Sequence, residues 1–274
     1  MRPYFWLASL IIGFLLFIPL HSESQGTQKS IIRVKGAYSM SSQMDKLAKK
    51  YMQGHPNCNI VVTGGGTPLG IAAFLNGEAD MAMSSYEIDD ESKKMANAKK
   101  LSLDNRFIGW DGLAIICNPK NPANQLTLEQ VKKLFLNDYT TWDEIGGDYY
   151  GIVAYVPDPE KSGVAIYFNK ILGERPRSAN IRHAASAIVR EVSNREDAVG
   201  YATLGQVQET KGQNKIKVLG IQRDEKSPPI VPTKQTIKDE SYLLRKPMLL
   251  YFNKDSKDPT LAAFADFCLQ NWDE

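Results

Sequence analysis

A run of three glycines at the start of a helix-like segment constrains this chain more than any other feature. Residues 63–70 read TGGGTPLG and follow the short apolar run 59–62, which has the character of a strand. Behind the glycines, Ile71, Phe74 and Leu75 recur at helical spacing. Backbone N–H groups at the start of a helix have no partner within it, and glycines leave room for an anion to reach them. The stretch therefore predicts an anion site or, because glycine tolerates positive φ, a tight turn without a ligand.

Composition and motif spacing exclude several other functions. The turn is not a P-loop, because no Gly-Lys-Ser/Thr follows, and its glycine spacing is not that of a dinucleotide fingerprint. A net charge of +2 over 274 residues is too small for a nucleic-acid surface. The histidines and cysteines do not have metal-site spacing, so no metal is expected. At most one disulfide is possible, and Cys117 and Cys268, which lie in apolar segments, are expected to be buried thiols.

The N-terminal segment has the layout of a secretory signal peptide. Arg2 precedes the apolar stretch 7–20, which is short for a membrane span and is followed by polar and small residues. We predict a signal peptide over 1–24, with cleavage near Ser22 or Ser24; an uncleaved N-terminal anchor is the alternative. No cysteine stands at the junction, so the folded part is expected in the periplasm or secreted and not as a lipoprotein.

Alternating strand, turn and helix segments predict an α/β fold with a mostly parallel sheet. The first such segments are a strand over 31–35, a helix over 40–53, a strand over 59–62, a helix over 69–76 and a strand over 79–83. Ser39 or Ser41 could cap the first helix. Ligands of such sheets collect at the carboxyl ends of the strands. The polar residues at those ends are Tyr38, Ser39, Thr67, Ser84 and Ser85.

A third junction of this kind follows a strand over 151–156, where the loop 158–163 leads into a helix over 164–172. Its residues Ser162 and Gly163 are small enough to expose backbone N–H groups. The remaining predicted segments are strands over 106–118, 198–201, 216–221 and 247–252 and helices over 127–135, 181–192 and 261–269.

The order of short motifs over residues 31–270 resembles the phosphate-binding components of high-affinity phosphate ABC importers. The motifs are Gly64-Gly65-Gly66-Thr67 with Gly70-Ile71, Asp111-Gly112-Leu113-Ala114, Asn118-Pro119 with Asn121-Pro122, Leu126 to Val131, Thr141-Trp142, Ser162-Gly163, Gly200-Tyr201 and Tyr242 to Met248. Each motif is weak alone, and their common order carries the resemblance.

The resemblance implies a type 2 periplasmic-binding-protein fold: two α/β lobes, mixed sheets with helices on both faces, and a hinge of two crossing strands. Lobe 1 would comprise 30–113 plus 222–274, and lobe 2 would comprise 114–221. Such lobes close over a ligand by hinge motion. The implied partners are inorganic phosphate or a similar oxyanion and a membrane ABC permease, with a monomer as the default, no cofactor and no nucleic acid.

The resemblance and the turns together assign ligand contact to residues at four strand ends. They are Tyr38, Ser39, Gly66, Thr67, Ser84, Ser85, Lys161, Ser162 and Gly163. Where the family carries a clamping Arg this chain has Asp158, and Val164 replaces a family Thr. Lys161 is the candidate to restore a positive charge, and Asp111 is expected to hydrogen-bond at the hinge.

Two functions follow from these expectations. The first is a periplasmic solute-binding protein that captures phosphate or a related oxyanion for an ABC importer. The alternative is a sensor or interaction protein of the same fold that has lost phosphate binding or takes another ligand, as the departures at Tyr38, Asp158 and Val164 favour. An enzyme is not expected, because no nucleophile–base spacing is present and Ser162 has no histidine nearby in sequence.

Overall fold

The computed structural model describes residues 30–148, 151–210 and 215–272, and the signal peptide predicted for 1–24 lies outside them. The strands are β1 Ser30–Gly36, β2 Cys58–Thr63, β3 Met81–Ser84, β4 Leu103–Cys117, β5 Gln125–Thr127, β6 Val153–Pro157, β7 Asn180–Arg182, β8 Ala198–Thr203, β9 Lys217–Val218, β10 Gly220–Gln222 and β11 Arg245–Asn253. The helices are α1 Tyr38–Gly54, α2 Thr67–Leu75, α3 Asp90–Ala98, α4 Leu128–Phe135, α5 Gly163–Leu172, α6 Ala185–Asn194, α7 Leu204–Glu209, α8 Lys234–Lys238 and α9 Pro259–Asn271. The α/β class predicted from the alternating segments is confirmed. The main sheet is mixed and not mostly parallel, because β11 and β4 run antiparallel to the strands beside them.

One long strand joins two parts of the main sheet. The strand order is β2-β1-β3-β11-β4-β8-β6-β7, with β9 also paired to β4. Residues 103–112 of β4 pair with β11, and residues 113–117 of the same strand pair with β8. We call β1, β2, β3, β11 and residues 103–112 the first side, and residues 113–117 with β6, β7, β8 and β9 the second side. Parallel pairs lie within each side, so their carboxyl ends are available to form a site.

Each side has its own hydrophobic core. On the first side, Ile32, Val34 and Met44 pack with Phe264 and Cys268. The aromatic centre of the second side is formed by Phe135, Trp142, Phe168 and Tyr201. Tyr242 and Leu244, just before β11, also pack in this second core. The segment that enters β11 therefore ties the two cores together.

The glycine turn permits close packing of α2 on the sheet. Gly66 precedes α2 with φ of 90°, a backbone conformation that favours glycine. An added Cβ at Gly70 would lie 2.4 Å from the Gly36 Cα, so only glycine fits between this helix and the end of β1. The turn predicted from three consecutive glycines is thus a compact strand-to-helix connection.

The structure corrects three local predictions. The strand predicted over 216–221 is two short strands, β9 paired with β4 and β10 paired with β5 in a separate sheet. Neither Ser39 nor Ser41 caps α1: the N-cap is Ala37, without a side-chain cap, and the Ser41 hydroxyl donates back to the Ala37 carbonyl. The helix predicted over 181–192 begins only at Ala185, because Ile181 pairs with Val156 in the parallel β6–β7 ladder. Ile181 is β-branched and lies at the edge of the sheet, so its pairing with β6 outweighs the helical periodicity of the local sequence.

The cysteines behave as expected. Cys58, Cys117 and Cys268 are all buried free thiols. Burial raises the pKa of the Cys117 and Cys268 thiols to about 12, which makes them poor nucleophiles. No helix in the described ranges has the length and apolar character needed to cross a membrane.

Candidate functional site

Predicted residues from the starts of α2 and α5 and from the end of β3 meet where the two sides touch. Thr67, which opens α2, is fully buried, and its Oγ1 accepts a 3.0 Å hydrogen bond from the Ser85 N–H behind β3. An added Cβ at Gly163, the first residue of α5, would lie 2.3 Å from that same Thr67 Oγ1. An added Cβ at Gly66 would lie 2.2 Å from the Lys161 carbonyl oxygen. The two sides are therefore in direct contact at two glycines, and the sequence-predicted junctions converge.

Four hydroxyl groups at this contact accept a hydrogen bond and donate none within the described part of the chain. Lys246 Nζ donates to Ser39 Oγ at 3.1 Å and to Ser85 Oγ at 3.3 Å. The Thr67 oxygen accepts from the Ser85 N–H, as above. Ser162 caps α5, and its Oγ accepts from the Ala165 N–H at 3.3 Å. Since a hydroxyl is one donor as well as an acceptor, each keeps a proton to offer to a ligand.

Backbone donors accompany these hydroxyls. The first N–H groups of α2 and α5 have no acceptor within their helices. In α2 these include Thr67, while Pro68 has no N–H to give. In α5 they include Gly163 and Val164, since the Ala165 N–H is taken by the Ser162 cap. Both helix starts also carry the positive end of a helix dipole, so the electrostatics favour an anion.

A fully buried lysine lies at the centre of the first-side residues. The Lys246 side chain has no exposed surface, and its ammonium pairs with Asp111 at 3.0 Å, whose side chain is 13% exposed. The two residues face each other in register on β11 and β4. Asp111 was expected to hydrogen-bond at the hinge, and it pairs with the lysine where β4 passes between the sides. The role of Lys246 was not predicted, although the residue stands in the motif Tyr242 to Met248.

Asp158, which stands where a clamping Arg was expected, organises its own loop. Its Oδ1 accepts from the N–H groups of Glu160 at 2.9 Å and Lys161 at 3.2 Å, and the Ser162 N–H donates to its carbonyl. These backbone bonds, that of Glu160 foremost, lower the pKa of the Asp158 carboxyl. Its Oδ2 lies 3.6 Å from His183 Nδ1. The carboxylate therefore shapes the turn that presents Lys161, Ser162 and Gly163 to the first side.

Three predicted ligand residues lie differently from the hydroxyl set. Tyr38 is 62% exposed, and its ring packs over Gly64, where an added Cβ would lie 2.6 Å from the ring. The Ser84 hydroxyl is buried and donates to the Tyr86 carbonyl, so its proton is already used. Lys161 contacts the first side through its backbone, while the residue is exposed. Ligand contact by these three residues, as by the other predicted ligand residues, stays a prediction.

Within residues 30–148, 151–210 and 215–272, no three His, Cys, Asp or Glu side chains are grouped closely enough to hold a metal ion. The site is thus built from hydroxyls, backbone N–H groups and one buried ion pair.

A mixed sheet with helices on both faces, a strand shared by two sides and a donor-rich contact between them is the architecture of a two-lobed solute-binding protein. Residues 21–271 match the family model described as the PBP superfamily domain, and the chain belongs to this superfamily.

Known relatives agree with that assignment. The phosphate-binding protein PstS of Staphylococcus haemolyticus (strain JCSC1435) is 27% identical over 242 residues, which is 86% of this chain and 76% of the relative. The crystal structure of an ABC-type phosphate transport receptor from Vibrio cholerae superposes with a TM-score of 0.73 at 27% identity, covering 89% of this chain and 95% of the receptor. A phosphate-bound substrate-binding protein from Clostridium perfringens, 22% identical with a TM-score of 0.73 over 87% of this chain and 92% of its own, shares the fold. The resemblance to phosphate-binding proteins and the type 2 fold predicted from it are confirmed.

Proposed function

We propose that this protein captures inorganic phosphate, or a related tetrahedral oxyanion, between its two sides and delivers it to a membrane ABC importer. The observation that carries the proposal is the common hydrogen-bond state of Ser39, Thr67, Ser85 and Ser162. Each hydroxyl accepts within the protein and keeps its proton for a ligand. Such a set suits a ligand that offers only acceptor oxygens around one centre.

The magnitudes support this assignment without a clamping Arg. A hydrogen bond to a charged group contributes about 1.5–3 kcal/mol, so four hydroxyls reach the ~8 kcal/mol of a micromolar complex before the cost of association. The starts of α2 and α5 add roughly 0.3–2 kcal/mol each. The printed names of the relatives, a phosphate-binding protein and a phosphate transport receptor, point to the same ligand.

The arrangement also argues against an enzyme. Ser39 and Ser85 each accept from an ammonium, which can take no proton from them and withdraws electron density from their oxygens. We therefore propose a binding role, with a signal peptide over 1–24, a periplasmic or secreted location, a monomer, and lobes of 30–113 plus 222–274 and 114–221.

Ser84 and Ser85 provide a matched test of the proposed site. Ser85→Ala removes a free donor and should weaken phosphate binding about ten- to a hundredfold, because a hydrogen bond to a charge is lost. Ser84→Ala removes a hydroxyl that already donates to Tyr86 and should leave the phosphate Kd within about twofold, the ordinary error of additivity. Calorimetric titration of both variants with phosphate measures the difference. Equal effects would contradict the assignment of donors.

The sensor or interaction protein is the second candidate. Asp158 favours it, because a carboxylate beside α5 repels an anion at the position where the resemblance implies an Arg. If the purified protein binds no tetrahedral oxyanion, this alternative is favoured.

A further inference from the structure

The three N–H donors of the Lys246 ammonium each have one acceptor. They are Asp111 Oδ2 at 3.0 Å, Ser39 Oγ at 3.1 Å and Ser85 Oγ at 3.3 Å. The side chain has no exposed surface. With all three donors occupied, the lysine has none left for a ligand. Any influence on an anion must therefore pass through its neighbours.

The hydrogen bonds from the Lys246 ammonium leave the Ser39 and Ser85 hydroxyls as donors toward other groups. A serine hydroxyl that accepts from an ammonium must point its own proton elsewhere, since the ammonium cannot accept it. A hydrogen bond from a charged donor is stronger than a neutral one and polarises the hydroxyl it reaches. The hydroxyls of Ser39 on α1 and of Ser85, which follows β3 in the chain, are thus both oriented by the ammonium of Lys246 on β11.

Asp111 holds the ammonium in this position. The carboxylate and the lysine are register partners on β4 and β11, at the last residues of the first side before β4 continues into the second. A buried ammonium is stable only with such a partner. The pair is electrically neutral, so it orients two donors without placing a net positive charge in the site.

We propose that Lys246, held by Asp111, is a positioning residue that turns the Ser39 and Ser85 hydroxyl protons toward the bound oxyanion. This inference rests on the proposed function and explains how the site binds an anion although Asp158 replaces the clamping Arg. The lysine acts through the two serines and not by direct contact with the ligand.

A mutant cycle separates this role from a structural one. The variant is Lys246→Met with Asp111→Asn, which removes the ammonium and its counter-charge together, and its phosphate Kd should rise about tenfold. In a Ser39→Ala, Ser85→Ala background the same pair of changes should alter the Kd by less than about twofold, because the groups it positions are gone. Lys217→Met is the matched control. The Lys217 ammonium donates to the Asn121 carbonyl and to Asn124 Oδ1, neither of which belongs to the proposed site, so its loss should leave the Kd unchanged.

Calorimetry with inorganic phosphate, with circular dichroism to show that each variant is folded, decides the outcome. Equal losses in both backgrounds, or an unchanged Kd in the first variant, would overturn the positioning role while the proposed function stands. A parent protein that binds no phosphate would refute the proposed function and this inference together.

Discussion

Single residues set the charge balance of the site, and substitution of Asp111 tests this balance most directly. Asp111→Asn leaves the fully buried Lys246 ammonium without a counter-charge. Breaking one partner of a buried pair costs about 3–5 kcal/mol, so we expect the free energy of unfolding to fall by that amount. Urea denaturation measures it. Adding Lys246→Met to Asp111→Asn should recover most of the loss; a double variant no more stable than Asp111→Asn would contradict the pairing.

The sequence predicts which residues reach the site better than it predicts what they do there. Ser84 and Ser85 are equivalent in the sequence, since both follow the predicted strand 79–83. Their side-chain bonds separate them: Ser84 donates to the Tyr86 carbonyl, whereas Ser85 accepts from Lys246. Lys246 could not be assigned, because its neighbours Ser39 and Ser85 are more than 150 positions away along the chain. Asp158 was weighed by its charge, whereas the structure uses its Oδ1 to order a turn. Side-chain partners across long sequence separations are not encoded in local patterns.

The N-terminus of α5 packs directly against the start of α2, where the two sides are in contact. An added Cβ at Gly163 would lie 2.3 Å from Thr67 Oγ1. Because Gly163 does not have a positive φ, a substitution by alanine would cause steric overlap with Thr67 without straining the backbone. We expect Gly163→Ala to weaken phosphate binding about tenfold by holding the sides apart, in line with ~1–3 kcal/mol for overpacking.

Gly205→Ala is the control for this change, because an added Cβ there meets nothing within 4 Å. Its phosphate affinity, measured by calorimetry, should equal that of the parent. A Gly163→Ala protein with parental affinity would show that the contact at Thr67 plays no part in binding. Gly66→Val is a poorer probe, since φ of 90° would strain the valine whether or not a ligand is bound.

At this scale the sequence is informative for elements with clear periodicity. The ends of the strands and helices around the glycine turn were predicted to within about two residues, the usual uncertainty of element ends. The failure at 181–192 has a tertiary cause: Ile181 joins the edge of the sheet beside β6, which a local helical pattern does not reveal.

At the scale of the whole molecule, the strand β4 connects the two sides, which have separate hydrophobic cores. Because β4 pairs with β11 on the first side and β8 on the second, a change of angle near Gly112 and Leu113 would move α5 against α2. The fold class was predictable, since ordered motifs along most of the chain reflect a common architecture. The exact lobe bounds stay a prediction, and the packing of Tyr242 and Leu244 in the second core is the feature that a boundary at 222 does not anticipate.

We propose that hydroxyl and backbone donors of this protein bind a tetrahedral oxyanion without a clamping Arg. The most direct measurement is a calorimetric titration of the purified protein with inorganic phosphate at neutral pH. We expect saturable binding with a micromolar or lower Kd. No heat at millimolar phosphate would contradict it and would leave a scaffold that serves another ligand or a protein partner.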